Sequence, residues 1–185
     1  MELDKCLEKR FSCRKYKKKK PDINDVSDIL DYARLAPSAG NIQIVRFILV
    51  QDKDKIKQLA EASQQAFLKQ VSYIIAVVTD PSLMKKSFDE RGERYCRHQA
   101  GAVIENLLLK ITDLGLASCW IGHFSDEQVK EILQIPEDCI VEALVPIGYA
   151  MKQGKHKRKQ PLDSCLFFEE WKNKFMDKKE MPEAM

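Results

Sequence analysis

The most informative stretch of the sequence is Ala36–Asn41, which reads Ala-Pro-Ser-Ala-Gly-Asn. Its proline disfavours a helical conformation at the residue before it, and Gly40 can take a positive φ at no steric cost. Ser38 and Asn41 supply side-chain hydrogen-bonding groups. Because the apolar run 45–50 follows at once, we expect a polar loop between a helix and a buried strand. Such a loop is either a shelf for a planar polar ligand or a plain helix stop and turn.

The bulk composition is that of an ordinary globular chain. It has 185 residues, of which 44% are hydrophobic and 32% charged, and this predicts a single domain over 1–185. No apolar run approaches the ~20 residues of a membrane-spanning helix. The first residues carry acids and no apolar core, so no secretory signal is predicted and the expected location is the cytoplasm.

The periodicity of apolar residues predicts an α+β chain. Helices are expected over 3–9, over a segment beginning near Asp22, over 53–69, over 91–114 and over 126–133. Strands are expected over 45–50, 73–78, 117–121 and 140–147. The helix over 91–114 is apolar around most of its circumference, which predicts a central position in the molecule or in a dimer. The aromatic segment 162–171 needs a surface on which to pack.

Cysteine spacing and charge argue against a cysteine-bound metal site and against nucleic-acid binding. Six cysteines occur without any Cys-x-x-Cys pair, so neither a zinc site nor an iron–sulfur cluster is predicted. Two basic runs, 15–20 and 152–159, are typical of solvated surface and also suit an anionic ligand. A nucleic-acid-binding domain is disfavoured, because only Tyr16 interleaves an aromatic ring with these lysines.

Several catalytic motifs are missing from the sequence. It contains no Gly-x-Gly-x-x-Gly or Walker phosphate loop, no Gly-x-Ser-x-Gly elbow and no His-Glu-x-x-His, and it has three histidines. A hydrolase triad or a metal centre therefore has little support. If the chain is an enzyme, a cofactor must supply the difficult chemistry.

Three further stretches offer binding groups. Arg10, Ser12 and Arg14 place two guanidinium groups and a hydroxyl within five residues, a set that can bind a phosphate or form a solvated basic loop. The apolar stretch 115–124 contains Gly122, where a backbone can approach a ligand; a plain buried strand is the alternative. The strand end 146–149 is followed by another basic segment.

In this order the stretches resemble the nitroreductase-like FMN-dependent oxidoreductase family. The resemblance is carried by Arg10-Phe-Ser-Cys-Arg14, Ala36–Asn41, the helix around Gly101, Gly115–Gly122 and Pro146-Ile-Gly-Tyr149. It implies an α+β fold with a central, mostly antiparallel sheet flanked by helices. It also implies a long central helix, a C-terminal segment packed on a dimer partner, and a homodimer with FMN at the subunit interface.

The resemblance also implies roles for individual residues. Arg10 and Ser12 match ligands of the phosphate and ribityl chain, Arg14 matches the cation beside flavin N1 and C2=O, and Lys157 and Lys159 match residues that close on the phosphate. The full predicted cofactor-binding set is Arg10, Phe11, Ser12, Arg14, Pro37, Ser38, Asn41, Gln43, Ile121, Gly122, Lys157 and Lys159.

The remaining positions concern the ring system. Ser38 and Asn41, supplied by the other subunit, match the loop that touches the rings, while Ile121 and Gly122 match backbone N–H donors toward N5 and C4=O. Where the family shows Gln-Pro-Trp, this chain has Ile42–Val45, which leaves Gln43 as a polar contact.

The implied activity is that of an NAD(P)H-dependent flavin oxidoreductase. It would take hydride from NAD(P)H onto FMN and reduce a small acceptor such as a nitroaromatic or a quinone. No catalytic side chain, metal, nucleic acid or membrane partner is predicted. The alternative is a flavin-storing or redox-responsive protein on the same fold with little turnover.

Overall fold

The centre of the molecule is strand β2 (Tyr73–Thr79), every residue of which is buried. In the computed structural model, which describes residues 1–154 and 158–175, it pairs antiparallel with β1 (Val45–Val50) and with β4 (Ile140–Gly148). The two-residue strand β3 (Ala117–Ser118) pairs antiparallel with β4 and completes the order β1-β2-β4-β3. The expected antiparallel sheet is confirmed.

Helices cover both faces of this sheet. Their bounds are α1 Leu3–Lys9, α2 Ile23–Ala33, α3 Lys53–Ala62, α4 Ser82–Phe88, α5 Arg91–Asp113, α6 Asp126–Leu133 and α7 Leu162–Cys165. Side chains that accept backbone N–H bonds begin three of them, namely Asp22 for α2, Asp52 for α3 and Ser125 for α6. No helix in the described part of the chain is long and apolar enough to cross a membrane.

The period of two in β2 builds two hydrophobic cores. Ile74 and Ala76 face a core shared with α3 and α6, while Ile75 and Val77 face a core shared with α2 and α5. Burying each of Ile74, Ile75 and Val77 contributes roughly 1.5–3 kcal/mol. The result is an α+β sandwich with the sheet between two helical layers, as expected.

One predicted helix boundary is wrong, and one helix is absent from the prediction. The helix expected over 53–69 ends at Ala62, because Gln64 adopts a left-handed φ of 54° and the chain resumes as a 3-10 turn at Ala66–Gln70. Helix α4 was not predicted at all. It begins after Asp80, whose carboxylate accepts the Ser82 N–H at 3.0 Å.

The long helix is present as expected. Helix α5 spans 23 residues and is followed by Gly115 at φ 72°, which supports the predicted glycine stop. In the C-terminal segment Trp171 and Phe175 are 80% and 85% exposed, and the Trp171 ring lies 4.7 Å from the Phe167 ring between centroids. The expected strand over 117–121 is shorter, with Ile121 joined to Leu144 by an isolated bridge.

Candidate functional site

An extended segment after α1 is tied to the edge of the sheet. Ser12 forms a parallel bridge with Ser118, and the Cys13 N–H donates to the Ser118 carbonyl at 2.8 Å. Farther along, the Lys17 N–H donates to Tyr149 O at 2.8 Å. The segment that carries Arg10, Ser12 and Arg14 therefore lies beside β3 and the end of β4.

Two hydrogen bonds made by Tyr16 hold this segment in place. Its hydroxyl donates to the Cys13 carbonyl at 2.9 Å, and its N–H donates to Gln70 Oε1 at 2.8 Å. A Cβ at Gly148 would lie 2.8 Å from the Tyr16 ring, so only glycine allows this approach. Burial strongly raises the pKa of Tyr16, and its hydroxyl is therefore a neutral donor at physiological pH.

A cavity of about 690 Å³ opens between this segment and the chain that follows β4. Its volume lies within the range of small-molecule sites. The lining residues are Arg10, Phe11, Ser12, Cys13, Arg14, Lys15, Met151, Lys152, Gln153, Gly154 and Lys159. Five of these described residues are cationic and none is acidic, so the cavity favours an anion.

The cavity wall depends on the contact between Phe11 and Gly154. A Cβ at Gly154 would lie 2.1 Å from Phe11 Cδ2, a distance that no side chain tolerates. Because Gly154 lacks that atom, the Phe11 ring packs directly on its backbone. The Gln153 amide adds a bond to the Lys9 carbonyl at 3.1 Å, which ties the second wall to the first.

Arg10 is oriented by an ion pair with helix α5. Its Nε lies 3.3 Å from Glu105 Oε1, and the Arg10 side chain is 22% exposed. The contact uses the inner nitrogen of the guanidinium, and the two terminal nitrogens remain as donors for a ligand. Arg10 is thus held at the cavity while its two terminal nitrogens can still donate to a ligand.

The thiols near the cavity are protonated. Burial raises the pKa of Cys119, and the nearby Arg14 guanidinium and Ser12 hydroxyl lower it by less. Burial likewise raises the pKa of Cys13. Because a thiolate is the reactive form, neither cysteine is a nucleophile at neutral pH.

A second polar cluster forms around the loop that precedes β1. Gln43 Nε2 donates to Ser38 Oγ at 2.8 Å and to Asn41 Oδ1 at 3.2 Å. Gln99 of α5 donates from Nε2 to Gln43 Oε1 at 3.3 Å. Asn41 adopts a positive φ of 55°, which places its side chain in this network. Sequence reasoning missed Gln99, although a glutamine within the apolar periodicity of α5 was a usable signal.

The two clusters lie at opposite edges of the sheet. Arg10, Phe11, Ser12 and Arg14 adjoin β3, whereas Pro37, Ser38, Asn41 and Gln43 precede β1. The three strand spacings between those edges amount to about 14 Å, and the second set contributes nothing to the cavity lining. One chain therefore does not bring the predicted residues to a single place.

The predicted pair of backbone donors needs correction. The Ile121 N–H donates to the Leu144 carbonyl at 3.1 Å inside the sheet, so it is not available to a ligand. Gly122 is exposed, and its N–H has no protein acceptor in the described ranges 1–154 and 158–175. Of the two expected phosphate lysines, Lys159 lines the cavity and Lys157 lies outside the described residues.

Both the sequence and the fold are similar to those of known proteins. The sequence model of the Nitroreductase family matches residues 7–70 and 62–149. A putative NADH dehydrogenase/NAD(P)H nitroreductase of Archaeoglobus fulgidus is 35% identical over 155 residues, covering 80% of this chain and 86% of the relative. Among solved structures, a nitroreductase family protein from Clostridium difficile 630 has a TM-score of 0.83 at 28% identity, covering 92% of this chain and 100% of that one.

A more distant structure shares the fold alone. The NADPH:FMN oxidoreductase from Vibrio harveyi, solved with NAD+, has a TM-score of 0.84 at 20% identity and covers 92% of this chain and 78% of that one. Fold and comparisons together define the class as an α+β oxidoreductase. The chain belongs to the nitroreductase family, and the expected resemblance is confirmed.

Proposed function

We propose that this protein binds FMN, takes hydride from NAD(P)H and reduces small acceptors such as nitroaromatics or quinones. The observation that carries the proposal is the cation-lined cavity beside β3, into which the N-terminal segment places Arg10, Ser12 and Arg14. The names of the Archaeoglobus and Vibrio proteins support the nicotinamide and flavin parts of the assignment. In this proposal the whole chain 1–185 serves as one flavin-binding domain.

The residues present fit the phosphate end of FMN. Five lining cations without a carboxylate suit a dianion. Arg10 and Lys159 would hold the phosphate, and Ser12 would bind the ribityl chain. Arg14 would lie beside the N1 and C2=O edge. When bound, FMN supplies the hydride and electron transfer that no side chain provides.

We further propose that a second copy of the chain completes the site. The Pro37–Gln43 loop lies at the sheet edge away from the cavity, so the loop of a partner is the one that reaches the ring system. The exposed Trp171 and Phe175 support a homodimer, since large exposed apolar side chains mark interaction surfaces. Gly101 on α5 has nothing within 4 Å of a built Cβ, which leaves that helix face open to close packing.

The chain's own groups suit reduction by hydride transfer. A fixed guanidinium at Arg14 stabilises negative charge that develops on a neighbouring ring, without reorganisation at the moment of reaction. The Gly122 N–H, which is free of protein acceptors in the described chain, would orient the ring edge. Tyr16 and the two buried thiols stay neutral, so they neither repel an anion nor react with an acceptor.

Steady-state turnover tests the proposal against flavin storage. The protein is loaded with FMN, and NADH or NADPH consumption is followed with and without menadione or nitrofurazone. The proposal predicts oxidation that depends on the acceptor and that is lost in Arg10→Ala at limiting FMN. Flavin-loaded protein that consumes neither nucleotide with either acceptor would favour the storage role.

A further inference from the structure

Gln99 is an unusual residue for its position. It is 3% exposed and shares the inner face of α5 with the buried side chains of Cys96 and Val103. Its Oε1 is buried and has no hydrogen-bond partner among the described residues, while its Nε2 makes one bond at 3.3 Å to Gln43. A buried amide that is only half satisfied is less stable there than an apolar side chain. Packing therefore does not explain Gln99.

The single bond that Gln99 makes fixes the direction of the next amide. Gln43 Oε1 accepts from Gln99, so the Gln43 Nε2 group is the end that faces the loop. That group donates to Ser38 Oγ at 2.8 Å and to Asn41 Oδ1 at 3.2 Å. Without Gln99, the Gln43 amide could turn over and present its oxygen instead.

The orientation of the Gln43 side-chain amide determines which hydrogen-bonding groups the loop presents to a ligand. Ser38 Oγ already accepts a hydrogen bond, so its own proton points elsewhere, and Asn41, which accepts through Oδ1, has its Nδ2 group left to donate. Neither donor has an acceptor in the part of the chain that the structure describes. The loop thus offers a ligand two hydrogen-bond donors, the Ser38 hydroxyl and the Asn41 Nδ2 group.

We propose that Gln99 is a positioning residue that, through Gln43, sets the Ser38–Asn41 loop to bind the carbonyl edge of a ring ligand. This inference rests on the proposed function, in which that ring is the flavin. Donors aimed at ring carbonyls stabilise the reduced ring more than the oxidised ring, because reduction adds electron density to those oxygens. Gln99 therefore acts on the redox equilibrium without touching the ligand.

The test is the flavin midpoint potential of the FMN-loaded Gln99→Leu protein. We expect the ratio of reduced-flavin to oxidised-flavin affinity to fall about tenfold, which for a two-electron couple lowers the potential by about 30 mV. The melting temperature should stay the same or rise, since leucine removes an unsatisfied buried oxygen. A merely structural role for Gln99 would move stability and leave the potential unchanged.

Two further variants act as controls. Thr112→Val removes another buried polar group from α5, one whose hydroxyl bonds its own helix at Leu108 O, and should leave the potential in place. Gln43→Ala removes the exposed member of the Gln99–Gln43 pair without disturbing the core. It should lower the flavin midpoint potential as Gln99→Leu does. If Gln99→Leu does not fold, Gln99→Met, which keeps the side-chain length and removes the amide, is measured in its place.

The results separate this inference from the function on which it rests. An unchanged potential in Gln99→Leu with flavin bound, whatever the result for Gln43→Ala, overturns the positioning role and leaves the proposed function standing. A wild-type chain that takes up no FMN overturns both.

Discussion

The Cys13 N–H donates to the Ser118 carbonyl at 2.8 Å, and this bond attaches the N-terminal segment to the edge of the sheet. Cys13 points into the core while its neighbours Ser12 and Arg14 are exposed, which is the alternation of an extended strand. The placement of the candidate phosphate ligands therefore follows from one strand edge and one buried thiol residue.

Arg10→Ala should weaken FMN binding. Loss of a charge-assisted hydrogen bond to a phosphate costs roughly 1.5–3 kcal/mol, or about 10- to 150-fold in the dissociation constant. Quenching of flavin fluorescence on titration measures this constant. Arg34→Ala is the matched control, since Arg34 pairs with Asp31 on the exposed surface of α2. Equal dissociation constants for wild type and Arg10→Ala would remove Arg10 from the site.

Arg14→Ala should lower the flavin midpoint potential. A cation beside the ring favours the reduced, more negative flavin, so its removal favours the oxidised form. An anaerobic redox titration of the flavin-loaded protein follows the change. Arg97→Ala, which breaks an exposed pair with Glu93 on α5, should leave the potential where it is. If the two variants titrate alike, Arg14 does not lie beside the ring.

Gly154→Ala should damage the cavity wall. The added methyl would lie 2.1 Å from the Phe11 ring, and such overpacking typically costs 1–3 kcal/mol. We expect a lower melting temperature together with weaker FMN binding, because the displaced ring moves into the cavity. Normal stability and normal FMN binding in Gly154→Ala would contradict the packing of Phe11 on this backbone.

Gly101→Ala separates the fold of one chain from its assembly. Within the chain a methyl at Gly101 meets nothing within 4 Å, and alanine is the better helix former by roughly 1 kcal/mol. A protein that acts as a monomer should therefore become more stable. In the proposed dimer the methyl should instead weaken association, which sedimentation across a range of concentrations detects.

Stability should fall at high pH. Burial raises the pKa of the thiols of Cys6, Cys13, Cys96 and Cys119 above the ordinary value of 9.0. Unfolded thiols lose their protons above that pH while folded ones keep them, so the stabilisation is complete below pH 9.0 and declines as pH rises toward the folded pKa values. Each thiol contributes a slope of about 1.4 kcal/mol per pH unit in that window.

Denaturant titrations between pH 8 and 10 measure this slope. Cys119→Ala should reduce the slope by the contribution of one thiol, about 1.4 kcal/mol per pH unit. Cys165→Ala is the control, because Cys165 is exposed. The prediction is wrong if the free energy of unfolding is flat with pH across this range.

Much of the fold could be predicted because local signals agreed with the tertiary structure. The continuous apolar run of β2 and the helix caps at Asp22 and Ser125 act within a few residues, and these elements are present. The break after Ala62 was missed, since the left-handed turn at Gln64 allows the following residues to pack as a separate 3-10 turn.

The site was less predictable, because it depends on pairings between distant segments. Strand order decides that residues near Ser12 and residues near Ser38 lie at opposite sheet edges, and no local pattern encodes that order. Likewise, the bond from Ile121 to Leu144 depends on a strand more than twenty residues away. Gln99 was missed because its role depends on its contact with Gln43, which lies far away in the sequence.

Subunit complementation measures whether each flavin lies between the cavity of one chain and the loop of another. Arg10→Ala and Ser38→Ala/Asn41→Ala chains are each assayed alone and then mixed after mild denaturation and refolding. If sites are shared, each parent is impaired and the mixture regains about a quarter of wild-type activity, since half of the dimers hold one intact site. A mixture no more active than the average of its parents would contradict a site shared between two chains.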